Sequence, residues 1–238
     1  MKNQLTVIVP FFNEEEFLKS SVTRLVNSKN CQKVILVDDK STDKSLEIGK
    51  ELEKSFKNIK LISKNKNEGK GSCVLEAKKY LDTTHVIFHD ADMEYDPSDI
   101  AKLFAKASEY PNAIILGSRT LDIELVKNRS FPLALVNKIL CKLFNFLNNK
   151  NISDIASGYI LMPSEFLLNY IFEEKGFGIE VEILTKAVRN NIEIYELPIN
   201  YNGRKYSQGK KIKIQDGLNI LSKIIYYSKF SQIKLKKI

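Results

Sequence analysis

Tryptophan is absent from this chain of 238 residues, and histidine and cysteine are scarce, at two and three. Cys31, Cys73 and Cys141 lie far apart with no Cys-x-x-Cys pair, so a disulfide framework is not expected. An odd number of scattered thiols points to reduced core residues and a cytoplasmic setting. Neither His85 nor His89 sits in a recognisable base arrangement, which argues against histidine acid–base chemistry. No run approaches the roughly 18 consecutive apolar residues of a spanning helix. The stretch MKNQLTVIVPFFNEEE turns acidic where a cleaved signal would stay apolar. A chain that neither crosses a membrane nor leaves by a signal is therefore expected.

Carboxylates are scarce in the last part of the sequence. From Arg204 onward Asp216 stands alone against Arg204 and nine lysines, although the rest of the chain is close to charge balance. A basic excess confined to one end predicts a local anionic partner, whether phosphate, nucleic acid or lipid headgroup.

What is present is enough apolar material, 43%, to bury a full core. LTVIVPFF (5–12), KVILVDD (33–39), IKLISKN (59–65), THVIFHDAD and NAIILGSR (112–119) read as strands. Helical spacing falls between them, in NEEEFLKSSVTRLVNS, STDKSLEIGKELEKSF, GKGSCVLEAKKYL and PSDIAKLFAKASEY. Continuous apolar strands alternating with helices predict an α/β fold, a Rossmann-like, mostly parallel sheet covered by helices on both faces. Such sheets bind ligands at the carboxyl ends of their strands. Pro10 to Glu14, Asp38-Asp39, Asn65 to Gly71, Asp90 to Glu94 and Gly117 to Arg119 all fall at or just after those ends. Singly, each is an ordinary turn or helix cap. Their convergence on one edge predicts a crevice.

HDADMEYDP places Asp90, Asp92 and Glu94 at alternate positions directly after a strand. On extended backbone these side chains point to one side, where unpaired carboxylates would repel one another. A hard divalent cation, Mg²⁺ or Mn²⁺, relieves that repulsion and commonly shares its shell with a substrate's phosphates.

VIVPFFNEEE, ILVDDKSTDKS, NEGKG, HDADMEYDP, GSR, DIASGY and ELPINYNGRKYSQGKK together resemble, in that order, family 2 glycosyltransferases of the GT-A fold. The likeness is greatest to the dolichyl- and undecaprenyl-phosphate sugar transferases. It implies an inverting transfer of a hexose from a UDP- or GDP-linked donor to a polyprenyl phosphate. Pro10, Phe12, Glu14, Asp38, Asp39, Lys70 and Asp90 would bind the donor, and Asp90, Asp92 and Glu94 the metal. Arg119, Arg129, Ser157, Arg204, Lys210 and Lys211 would surround the phosphates, and Asp92, Arg119, Asp154 and Arg204 would carry catalysis. Asp154 is the candidate if a general base exists, and an orienting partner of Arg119 otherwise. The sequence departs from the family pattern with Phe12 for Tyr, Lys40 for Gly, Glu94 for Gln and Ile160 for a basic residue.

The resemblance divides the chain into a glycosyltransferase domain at 1–212, with a nucleotide-sugar half (1–120) and an acceptor half (121–212), and a basic amphipathic tail at 213–238. SFPLALVNKILCKLFNFLNN (130–149), with Leu135, Ile139, Leu143 and Phe146 on one helical face, and the tail, with Leu218, Leu221 and Ile225 beside lysines, are expected to meet an anionic membrane surface on its cytoplasmic side. For the first segment, core packing is an equal competitor. The alternatives are a glycosyltransferase of cell-surface polysaccharide synthesis with a soluble or glycan acceptor and, more remotely, a sugar nucleotidyltransferase, although PFFNEEE lacks the glycine-rich loop of the latter. A nucleic-acid module would explain the basic end alone, and the acidic crevice would repel a phosphate backbone.

Overall fold

The computed structural model describes residues 4–28, 31–204 and 214–228. Its first half alternates β1 (Leu5–Phe11), α1 (Leu18–Val26), β2 (Lys33–Asp38), α2 (Ser45–Ser55), β3 (Ile59–Ser63), α3 (Lys70–Ala77), β4 (His85–Phe88), α4 (Asp99–Glu109) and β5 (Ile114–Ser118). The second half adds β6 (Val126–Lys127), α5 (Phe131–Asn148), β7 (Ile160–Pro163), α6 (Ser164–Asn169), α7 (Ile179–Arg189), β8 (Ile194–Pro198), β9 (Tyr201–Asn202) and α8 (Ile214–Tyr227). Seven strands form one sheet in the order β3-β2-β1-β4-β7-β5-β8. β7 alone runs antiparallel to its neighbours, and the remaining pairs are parallel. The mostly parallel α/β fold read from the sequence is thus the fold observed. β7, a four-residue strand inserted between β4 and β5, binds the two halves of the chain into a single sheet.

Alternation along the strands explains why both faces are covered. Val7, Val9, Val34 and Leu36 pack with Leu18 and Val22 of α1 and Ile100 and Leu103 of α4. Ile8, Ile35 and Val37 face the other way, onto Cys73 and Val74 of α3 and a layer supplied by α5, α6, α7 and α8. Each fully buried aliphatic side chain contributes roughly 1.5–3 kcal/mol, so two such layers fix the register of the sheet. β1 lies between β2 and β4, and the connections therefore diverge on either side of its carboxyl end. A crevice opens at such a switch point.

Two boundaries differ from the sequence reading. α1 begins at Leu18, later than Asn13, because Asn13 adopts a left-handed φ of 50°. Its backbone and side chain are drawn to Ser41 and Thr42 of the loop after β2. Past Phe88 the backbone does not stay extended: residues 91 and 92 form a turn and Met93 has a φ of 64°.

Candidate active site

Two cavities open at the carboxyl edge of the sheet and share one wall. The larger, about 360 Å³, is lined by Pro10, Phe12, Glu14, Asp39, Asn67, Gly69, Lys70, Asp90, Asp92, Glu94 and Arg204, among others. It gathers the residues assigned to the donor except Asp38. The Asp38 carboxylate is buried and accepts from Ser41 N at 2.9 Å and from Ser63 Oγ at 3.3 Å, which spends it on the turn. That turn keeps a left-handed residue, Lys40 with a φ of 65°, where the family pattern has glycine. Asp39 accepts from Lys64 Nζ at 2.6 Å, Glu68 N at 3.1 Å and Gly69 N at 2.6 Å. It thereby presents the Asn65–Gly71 loop and the start of α3 to the cavity.

The acidic wall is made by the turn after β4. Turning, not extension, brings Asp90, Asp92 and Glu94 to the border of both cavities. Each is already engaged by the protein. Asp90 pairs with Lys70 at 2.7 Å, and Lys70 reaches Glu180 at 2.8 Å. Burial opposes the charge on Lys70, but the two carboxylates outweigh it and raise its pKa. Gly158 lies opposite, and a Cβ there would collide with Asp90 Oδ2, so a side chain would push the carboxylate from its place beside Lys70. Asp92 pairs with Arg204 at 3.1 Å. Glu94 accepts from the Tyr201 hydroxyl and from Arg204 N at 2.7 Å. The Arg204 guanidinium also reaches Glu14 at 3.1 Å, and its Nε is buried without an acceptor.

Among the described residues no three His, Cys, Asp or Glu side chains stand as a ready-made metal group. The donor set nevertheless suits a hard cation. Burial, then Asp90 and Glu94, push the Asp92 carboxyl up to about 7 against the opposing pull of Arg204. Negative charge is thus in excess at an oxygen-only site. All three line the open space, but Asp90 and Asp92 are the more exposed, whereas Glu94 is buried and each of its oxygens already accepts a hydrogen bond.

The second cavity, about 120 Å³, has Arg119, Arg129, Tyr95, Tyr201 and Glu180 on its polar side, and Leu133, Val136 and Leu140 of α5 with Ile220 of α8 on its apolar side. Arg119 forks onto Asp154 through Nε and Nη2, both at 2.8 Å, and donates to Ala156 O at 2.7 Å. Asp154 is fully buried and also accepts from Arg119 N at 3.0 Å and Asn137 Nδ2 at 2.9 Å. Burial works against its charge, and Arg119 overcomes this to hold the carboxyl below the usual range. With its lone pairs taken and no face on either cavity, Asp154 is an anchor for Arg119 and lacks the access that a general base needs. Arg129 donates to Arg119 O at 3.0 Å and has no carboxylate partner among the described residues. Burial and the neighbouring Arg119 lower its pKa against the opposing pull of Asp154. Ser157 does not reach this cavity: it is buried, and its Oγ turns back to Tyr159 N at 3.3 Å.

Lys210, Lys211 and the terminal lysines fall outside the described residues. The sequence reading missed Glu180, Phe177, Tyr95 and Tyr201. Tyr95 adjoins the acidic turn in the sequence, whereas Phe177 in the turn before α7, Glu180 at the start of α7 and Tyr201 of β9 reach it only through tertiary packing. His89 is fully buried between Ser21 Oγ and Tyr159 OH, at 3.1 and 2.8 Å. Burial depresses it to about 4, so it holds the turn as a neutral ring.

Outside the crevice, α5 exposes Phe131, Leu135, Ile139 and Phe146 alongside Lys138 and Lys142. Leu143, expected on that face, packs instead against the core, as does Leu221 of α8; Leu218 and Ile225 are exposed. No helix among the described residues is long and apolar enough to cross a membrane.

Known proteins resemble this chain in sequence and in fold. A dolichol-phosphate mannosyltransferase of Pyrococcus furiosus is 28% identical over 87% of this chain, which spans 59% of that longer protein. A UDP-N-acetylglucosamine–dolichyl-phosphate N-acetylglucosaminyltransferase of Methanococcus voltae is 27% identical over 92% of this chain and 94% of its own length. Glucosyl-3-phosphoglycerate synthase of Mycobacterium tuberculosis, solved with Mn²⁺, UDP and glucosyl-3-phosphoglycerate, superposes with a TM-score of 0.73 at 15% identity, covering 95% of this chain and 80% of that one. That likeness is one of fold, the α/β GT-A architecture. The family described as Glycosyl transferase family 2 matches residues 6–170, and the chain belongs to it as a glycosyltransferase.

Proposed function

We propose that the protein transfers a hexose, with inversion, from a nucleotide sugar to an acceptor that carries a phosphate, with a divalent metal held by Asp90 and Asp92. The supporting observation is the pair of cavities meeting at one acidic wall. A donor in the larger cavity would lay its diphosphate along Asp90 and Asp92, where a bound cation supplies charge neutralisation for the leaving group. Arg204, which lines the larger cavity, would donate to the same phosphates. Arg129, which has no carboxylate partner among the described residues, would draw the acceptor's phosphate into the smaller cavity. Glu94 orients Tyr201 and the backbone of Arg204. Asp154 fixes the fork of Arg119.

Two carriers of that phosphate follow from different observations. A soluble phosphorylated acceptor is favoured by structures of the same fold solved with phosphoglyceric acid and the small volume of the second cavity. A polyprenyl phosphate at an anionic membrane surface is favoured by the named activities of the Pyrococcus and Methanococcus relatives and by the exposed apolar, lysine-flanked face of α5. The test is incubation with UDP- and GDP-sugars, Mn²⁺ or Mg²⁺, and either phosphoglyceric acid or a short polyprenyl phosphate, with products identified by mass. Asp92→Asn should abolish transfer while leaving the melting temperature within a few degrees. Metal-independent transfer, or full turnover by Asp92→Asn, overturns the reading.

A further inference from the structure

Five residues border both cavities: Lys70, Asp90, Asp92, Glu94 and Phe177. Four are charged. The fifth is a phenylalanine left 41% exposed where the two spaces join. Its backbone is pinned on the amino side. Gly71 N and Ser72 N at the start of α3 donate to Gly176 O and Lys175 O at 3.3 and 2.9 Å. The fully buried Glu182 of α7 accepts from Glu173 N and Glu174 N at 3.1 and 2.8 Å. Gly71 admits no side chain, because a Cβ there would collide with Glu174 O. α7 starts two residues after Phe177. The loop is thus built to hold this ring at the junction, although the ring itself is not used to fill the core.

We propose that Phe177 is the positioning residue for the transferred sugar: its ring receives the apolar C–H face of the hexose at the junction and keeps water from the anomeric carbon. The inference rests on the donor reading above. A hexose presents C–H bonds on one face and hydroxyls at its rim, so an aromatic ring among carboxylates and Lys70 matches both parts. The reaction it suppresses is donor hydrolysis. There a water oxygen bonds to the anomeric carbon, the bond from that carbon to the diphosphate oxygen breaks, the nucleoside diphosphate leaves with the electron pair and the water's proton passes to solvent. Excluding water is worth most where the acceptor must compete with it.

Because the chain contains no tryptophan, Phe177→Trp installs a single indole reporter. Its emission should respond at least about twice as strongly to the sugar nucleotide that the wild type consumes, with Mn²⁺, as to the matching nucleoside diphosphate with Mn²⁺. Phe177→Ala should keep the wild-type melting temperature and its affinity for the nucleoside diphosphate. Its KM for the sugar nucleotide should rise about five- to tenfold, and its ratio of hydrolysis to transfer should increase, with rescue by Phe177→Tyr. Equal indole responses to the two ligands, or an unchanged partition in Phe177→Ala, overturn the inference and leave the transferase reading intact. A wild type that consumes no UDP- or GDP-sugar overturns both.

Discussion

Asp154→Asn separates an anchoring carboxylate from a catalytic base. The substitution conserves volume but removes the charge opposite a guanidinium whose side chain is 11% exposed. It also replaces one acceptor oxygen by an NH₂ group in a nest of four N–H donors, from Arg119 N, Nε and Nη2 and Asn137 Nδ2. At least one donor then faces a donor. Breaking a buried pair by removing one partner costs about 3–5 kcal/mol, a large share of the 5–15 kcal/mol by which domains are stable. Urea denaturation should show that loss, with a melting temperature lower by roughly 6–20 °C at the 2–4 °C per kcal/mol of a chain this long. The double variant Arg119→Met/Asp154→Leu, which leaves no orphaned charge, should recover most of the stability without recovering activity. A base would behave differently, losing about 10²–10⁴ in turnover with the fold unperturbed. Asp154→Asn that unfolds within about 1 kcal/mol of wild type refutes the anchor.

Gly71→Ala should cost about 1–3 kcal/mol in denaturant midpoints, since the added methyl meets the Glu174 carbonyl on a backbone that cannot recede. His89 titrates near 4 folded and near 6.5 unfolded, so the unfolded chain takes the proton first. Its stabilisation is complete above pH 6.5 and is lost as pH falls towards 4. Up to about 3 kcal/mol should vanish over that window in the wild type, and the slope should flatten in His89→Gln, as read by urea melts at each pH. Arg204→Gln removes the cation now shared by Glu14, Asp92 and Glu94, so Mn²⁺ should raise the melting temperature of this variant by more than that of the wild type. An equal rise in both would mean that Arg204 and the metal do not meet at these carboxylates.

The sheet was legible because its strands announce themselves. LTVIVPF and KVILVD are buried on both faces, and continuous apolar runs between amphipathic helices admit few other architectures. β7 was not legible. ILMP is four residues long, comes two residues after Gly158 and ends in proline, and becomes a strand only because β4 and β5 offer it open edges. The onset of α1 was misplaced for a similar reason. NEEEF satisfies every local preference for a helix start, yet Asn13 is recruited by Ser41 and Thr42, whose positions depend on β2 lying beside β1.

At the site, spacing along the chain disclosed which carboxylates cluster but not what balances them. Asp90, Asp92 and Glu94 are neighbours in any conformation of so short a segment, so their convergence followed from the sequence even though the backbone turns where extension was expected. Their partners come from far away. Lys70 arrives with α3, Glu180 with α7, and Tyr201 and Arg204 with the segment after β8. Charge compensation is long-range in sequence and short-range in space, which is why a motif read alone suggests bare acid and the folded chain contains a partly compensated cluster, with Lys70 and Arg204 shared among more carboxylates than they can neutralise. The difference matters for chemistry. A bare triad would bind a divalent cation without help from a second ligand, whereas carboxylates already paired with Lys70 and Arg204 yield to a cation more readily when another anion takes up the displaced basic groups. A nucleotide diphosphate is such an anion. Metal and donor are therefore expected to enter together, each weak alone, with Arg204 passing from carboxylate to phosphate as they do.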